Sequence, residues 1–99
     1  MQIKEIKIKE SKVQGILLES PGGEGHPNMI IITCDKGYLM CGYLNLAAAE
    51  KFGDAAVLVG GADFEAVLSN QIKGMTSAAK AFGVTEDMTG AQAAAILNN

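Results

Sequence analysis

The stretch MIIITCDKGYLMCGYLN, Met29–Asn45, decides how this chain folds. It holds two short apolar runs, Met29–Asp35 and Tyr38–Tyr43, too short and too continuous for amphipathic helices and bounded by turn residues, so they read as strands. The dense Met29–Ile32 run predicts a central strand buried on both faces. A two-residue loop at Lys36–Gly37 would pair Asp35 with Tyr38, Cys34 with Leu39 and Ile32 with Cys41. In that register the two cysteines share a face but stand diagonally, about 7–8 Å apart, which is too far for a comfortable disulfide. A slip of one residue would put them on opposite faces.

Upstream, Ile6 and Ile8 alternate with Glu5, Lys7 and Lys9, the period of a half-buried strand whose outer face is charged. A turn at Glu10–Ser11 leads to a second strand, Val13–Glu19, with a bulge expected at Gly15, where the apolar phase changes. Pro21–Asn28, PGGEGHPN, is a turn-rich loop.

Downstream, Asn45 is positioned to cap a helix through Lys51 that ends at Gly53. Ala55–Val59 predicts a fifth strand broken by Gly60–Gly61, and Asp63 caps a helix over Phe64–Ser69. Ile72, Met75, Ala79 and Phe82 recur at helical spacing up to Gly83. Gly74 leaves two readings of Gln71–Met75, helical or an extended lead-in capped at Thr76. Thr89 caps a last alanine-rich helix to about Leu97. Strands first and helices later predict an α+β fold, an antiparallel or mixed sheet of about five strands with helices on one face.

Composition bounds the function. A chain of 99 residues predicts a single domain over residues 1–99. Its residues are 48% hydrophobic but only 5% aromatic, without tryptophan, so the core is aliphatic and alanine-rich. That much apolar residue on a small chain leaves some near the surface and predicts a homo-oligomer. Net charge is −3 and all 8 basic residues are lysine. Without arginine or a basic stripe, nucleic acid is not the expected partner. The cluster Lys4, Lys7, Lys9 and Lys12 is interleaved with Glu5 and Glu10, a solvated edge-strand pattern. No run approaches the ~20 apolar residues of a membrane span, and MQIKEIKIKE has no signal-like apolar core. A cytoplasmic location with reduced thiols is the expectation. The C-x6-C spacing matches no zinc signature, so neither metal nor cofactor is expected.

The candidate chemistry centres on Cys41. It precedes a helix start, whose amides lower a nearby thiol pKa and stabilise an anion. Gly42 would admit close approach to the backbone, with Tyr43 and Asn45 as polar neighbours. His26 is a base only if its loop folds back. The competing reading of Cys41 is a packed small hydrophobe, and that of His26 a solvated loop residue. The Pro21–Asn28 glycines precede a strand, so they are no phosphate loop. Gly60–Gly61 looks like an anion-binding turn, but Asp63 and Glu65 put negative charge in the first turn of the following helix and would repel an anionic ligand, so the glycines read as permitting a tight turn. Met40 and Met75 read as core filler able to line an apolar pocket.

Lys36–Asn45, KGYLMCGYLN, resembles the G-Y-[IL]-M-C-G-x-L-[DN] signature of the YunC-like family, a small domain of unknown function. Met88-Thr89-Gly90-x-x-Ala93 is similar to that family's closing M-[TS]-G-x-x-A segment, and the spacing between the two extends the resemblance over nearly the whole chain. The Pro21–Asn28 loop is longer than in the family pattern, so no role carries over to His26. The resemblance implies a two-layer α/β sandwich, and it focuses attention on Gly37, Cys41, Gly42 and Asn45.

Two functions follow as expectations. The first is a self-associating, non-catalytic module that binds a small polar molecule near Cys41–Asn45, with Gly37, Gly42, Tyr43 and Asn45 as ligand-binding residues. The alternative is a cysteine-dependent enzyme, acyl transfer or amide hydrolysis, with Cys41 as nucleophile.

Overall fold

A computed structural model describes residues 1–20 and 22–99, so Pro21 of the expected Pro21–Asn28 loop lies outside the described residues. The strands are β1 (Gln2–Ile8), β2 (Ser11–Leu18), β3 (Met29–Thr33), β4 (Gly37–Met40), β5 (Ala55–Leu58) and β6 (Gly74–Met75). The helices are α1 (Leu46–Phe52), α2 (Phe64–Ser69), α3 (Ser77–Ala81) and α4 (Gly90–Leu97). The strands form one sheet in the order β1-β2-β3-β4-β5-β6. Every neighbouring pair is antiparallel except β4 and β5, which run parallel. Parallel neighbours need a crossover, and α1 supplies it. The fold is therefore α+β with a mixed sheet, and β6 is the two-residue strand beyond the five expected.

Alternation along the strands sorts side chains to two faces. Val13, Leu17, Ile30, Ile32, Leu39, Ala55 and Val57 form the main core with Phe64, Val67, Ala79, Ala93, Ala94 and Leu97 from α2, α3 and α4. Ile32, Leu39, Val57 and Leu97 are fully buried, each worth roughly 1.5–3 kcal/mol of apolar transfer. On the other face Met40, Ala49 and Ala56 make a small second cluster beneath α1, joined by Tyr38, Leu44, Leu46 and Leu58. β5 is thus enclosed on both sides, which is why it reads AAVL. The expected two-face burial of Met29–Ile32 is only partial: Ile30 and Ile32 are buried, Met29 and Ile31 half-buried.

Caps fix the helix limits. The Asn45 side chain accepts hydrogen bonds from the Ala47 and Ala48 amides, and Gly53 ends α1 in the left-handed region at φ 77°. Asp63 accepts from the Ala66 amide. Thr76 caps α3, and Thr89 with Gln92 forms a reciprocal capping box on α4. Gly74–Met75 is extended, so the lead-in capped at Thr76 is the reading that holds.

Two local expectations need correcting. No bulge occurs at Gly15: the β1–β2 register is continuous, Lys4 facing Gly15 and Ile6 facing Val13. The glycine instead makes room for an aromatic ring, since a Cβ there would stand 2.6 Å from Phe64 Cε1. The β3–β4 turn also falls at Asp35–Lys36 and not at Lys36–Gly37. Ile32 pairs with Leu39 and Thr33 with Tyr38, while the Cys34 amide donates to the Gly37 carbonyl at 2.8 Å. Contacts distant in sequence hold this register. The Asp35 amide donates to Asn98 Oδ1 at 2.9 Å, and the Lys36 amide to the Leu97 carbonyl at 2.8 Å.

A candidate site at the carboxyl ends of the parallel strands

Because β4 and β5 are parallel, with Met40 beside Leu58, their carboxyl ends open on the same edge. The Val59 amide donates to the Met40 carbonyl at 2.9 Å and extends the ladder one residue further. Each chain then turns away through glycine, at Gly42 after β4 and at Gly60–Gly61 after β5. In open α/β sheets ligands bind outside the carboxyl ends of parallel strands, and among the described residues β4–β5 is the one such pair here. A cleft of about 380 Å³ lies there, lined by Pro27, Asn28, Cys41, Gly42, Tyr43, Gly60, Gly61 and Lys73. The volume suits a small molecule.

Asn28 ties the cleft together. Its side-chain oxygen accepts from the Ser20 amide at 2.8 Å, and its Nδ2 donates to the Ala62 carbonyl at 2.8 Å. The β2–β3 and β5–α2 loops are thereby joined across the sheet. Lys73 is fixed at its backbone, its amide donating to the Leu58 carbonyl at 2.7 Å. Its Nζ stands 2.9 Å from where a Cβ on Gly60 would lie, so the ammonium rests in the space that glycine leaves open. Among the described residues, a Cβ on Gly42 would meet no atom within 4 Å. Tyr43 is 41% exposed.

The structure brings Cys41, Gly42 and Tyr43 to this cleft and leaves Gly37 and Asn45 elsewhere. Gly37 starts the opposite end of β4, where a Cβ would stand 2.0 Å from the Ala55 carbonyl oxygen; its role there is close strand approach. Asn45 is the cap of α1. Cys41 is 5% exposed, and its sulfur accepts a hydrogen bond from the Ile30 amide at 3.3 Å. The sulfur's partner is thus the neighbouring strand, whereas the first amides of α1 are held by Asn45 Oδ1 at 2.9 and 3.3 Å. Cys41 stands just past β4, its own amide donating to the Ile30 carbonyl at 3.2 Å, while α1 covers Met40.

Cys34 and Cys41 are free thiols. Cys34 faces Gly37 and Cys41 faces Ile30, so they are offset by about four strand positions, roughly 13 Å at the usual rise, and not diagonal neighbours. Burial and the adjacent Asp35 carboxylate push the Cys34 thiol up to about 11. Among the described residues, no three His, Cys, Asp or Glu side chains gather in a group able to hold a metal. His26 is exposed, its ring against Gly22. Also among the described residues, no helix is long and apolar enough to cross a membrane.

Sequence reasoning passed over Gly60, Gly61, Asn28 and Lys73 as partners of Cys41 and Gly42. The available signal was a glycine just past the end of both β4 and β5, which align once those strands are known to be parallel. Nothing local marks Lys73.

Larger depressions exist elsewhere. One of about 810 Å³ is lined by Glu50, Thr76, Lys80, Glu86 and Asp87 among others. Another of about 830 Å³ lies between the β1–β2 turn, including Glu10, and α4. Neither sits at a parallel-strand edge.

Comparisons with known proteins agree with this architecture. The whole fold resembles the crystal structure of TA1206, a protein of unknown function from Thermoplasma acidophilum, with a TM-score of 0.85 and 29% identity over 97% of this chain and 91% of that one. A search of curated proteins found no match. Residues 40–97, from the end of β4 through α4, match the family described as Domain of unknown function (DUF1805). The YunC-like resemblance of Lys36–Asn45 leads to the same place, and the chain belongs to the DUF1805 family.

Proposed function

We propose that this protein is a non-catalytic, self-associating binding module of the cytoplasm that takes a small polar molecule at the Cys41–Gly42–Tyr43 corner. The observation carrying this reading is the cleft at the carboxyl ends of β4 and β5, where two glycine turns leave backbone open beside one tyrosine and one lysine. Cys41 serves as a strut under the cleft. Its buried sulfur, engaged by the Ile30 amide, supports packing over nucleophilic attack, so the enzyme alternative has no observation in its favour.

Self-association has separate support on the sheet face away from α2–α4. Register aligns Ile3, Ile16 and Ile31 in one row across β1–β3, with Leu18 facing Met29 beside it. Ile3 is 58% and Leu18 41% exposed. Contiguous apolar surface of this kind on a small chain marks an interface.

The test is a thermal-shift screen of polar metabolites on the wild type and on Gly42→Ala, with light scattering on the wild type and on Ile3→Lys. Stabilisation of the wild type that weakens in Gly42→Ala supports the binding role, and a multimer that Ile3→Lys dissociates supports the assembly. A strict monomer with no stabilising compound overturns the reading.

A further inference from the structure

Building on the binding role just proposed, we propose that the cleft holds its ligand by an acidic group, a carboxylate or phosphate, placed between the Lys73 ammonium and the glycine-turn amides. Among the described residues, the cleft has one cation and no acidic side chain in its lining. In a chain of net charge −3 this is a local reversal of sign. The larger depressions carry carboxylates: Glu50, Glu86 and Asp87 in one, Glu10 in another, and Glu86 beside the far side of Lys73 in a third of about 470 Å³.

The donors are of two kinds. Among the described residues, the amides of Gly42, Tyr43, Gly60 and Gly61 donate to no protein acceptor, and all four residues line the cleft. Among the described residues Lys73 has no carboxylate within 4.0 Å, as holds for every lysine but Lys12, which pairs with Glu5 at 3.3 Å. Unpaired backbone amides in turns, combined with an ammonium, are the usual surroundings of a bound anion.

Asp63 does not oppose such a ligand directly. Its carboxylate is turned onto the Ala66 amide at 2.8 Å, and neither Asp63 nor Glu65, the two acids expected to repel an anion here, is part of the cleft lining. The anion site therefore lies on the glycine turns and Lys73, with Gly61 packed against α2, where a Cβ would stand 2.7 Å from the Val67 nitrogen. Gly60 borders the ammonium: a Cβ there would come within 2.9 Å of Lys73 Nζ and 3.2 Å of Cε, so the flexible end of the lysine would have to move aside. The cleft's small volume favours short acids over nucleotides.

Calorimetry with matched probes tests this: lactate against lactamide, and glycerol 3-phosphate against glycerol, on the wild type, Lys73→Met, Lys73→Arg, Gly60→Ala and Gly42→Ala. The charged member of at least one pair should bind, more weakly as salt rises. Lys73→Met should weaken it about ten- to hundredfold, the scale of a lost charged hydrogen bond. Lys73→Arg should retain most of the affinity, and Gly60→Ala should weaken it by displacing the ammonium. If the neutral member binds as tightly, is weakened by Gly42→Ala and ignores Lys73→Met, the anion inference falls while the cleft remains a binding site. If no member of either pair binds, both readings fail.

Discussion

Replacing Gly37 with alanine should force β4 and β5 apart. A Cβ at this position would stand 2.0 Å from the Ala55 carbonyl oxygen and 2.9 Å from the Ala55 carbonyl carbon and Cβ. Restoring ordinary contact requires the two backbones to separate by more than 1 Å. The colliding atom is main chain and cannot rotate aside, and β4 is held on its other edge by β3. Overpacking typically costs ~1–3 kcal/mol, and a backbone clash belongs at the upper end, ~3 kcal/mol. The lower entropy of an alanine unfolded chain returns only ~0.4–1 kcal/mol. At ~4–8 °C per kcal/mol for a domain of this size, thermal unfolding followed by circular dichroism should shift down by about 10 °C or more. Gly42→Ala is the control, because nothing lies within 4 Å of its Cβ and its stability should change by less than ~0.5 kcal/mol. A Gly37→Ala protein melting within about 2 °C of the wild type, by the same scale, would refute the close-approach argument. So would equal losses in the two variants.

Thr76 Oγ1 is buried and joins α3 to β5, accepting from the Ala56 amide at 3.0 Å and the Ala79 amide at 3.3 Å while donating to the Asp54 carbonyl at 2.7 Å. Thr76→Val keeps the shape but strands these groups, so urea unfolding should show a loss of ~2–4 kcal/mol, and Thr76→Ser should recover most of it. Alkali should destabilise the fold in a defined window. Burial with Asp35 raises Cys34 to about 11, and burial with the Asp54 hydrogen bond raises Tyr38 to about 12. The unfolded chain therefore releases these protons first, and stability falls as pH climbs from about 9 to 12; Cys34→Ala and Tyr38→Phe should flatten the fall in pH-dependent melting. At the acid end, hydrogen bonds from the Ser77 amide and hydroxyl hold the Glu50 carboxyl below its ordinary value. Its contribution is present above the ordinary carboxylate pKa and is lost as pH drops through the lowered one, so Glu50→Gln should reduce the acid dependence of melting.

Local chemistry made much of the fold legible. Asn45, Gly53, Asp63 and Thr89 cap helices through bonds made within a few residues, and the alternation of Ile6 and Ile8 needs only the chain's own period. The failures are all non-local. The register after Cys34 is held by Asn98 and Leu97, more than sixty residues away. Gly15 answers to the Phe64 ring, and Gly37 to the Ala55 carbonyl; no neighbour in sequence signals either contact. The candidate site followed the same rule. Cys41, Gly42 and Tyr43 were legible as one cluster, whereas Gly60, Gly61 and Lys73 join them only because β4 and β5 run parallel. The expected thiol–helix encounter gave way to a contact with the neighbouring strand, whose Ile30 amide donates to the Cys41 sulfur at 3.3 Å.

The most direct test of the cleft as the functional centre is an amide-resolved NMR titration with glycerol 3-phosphate and lactate. Saturable shifts are expected at Gly42, Tyr43, Gly60 and Gly61, with Gly37 and the Glu86–Asp87 region unmoved. Saturable shifts confined to the Thr76–Asp87 depression, or no saturable shifts at the two glycine turns, would contradict that role for the cleft.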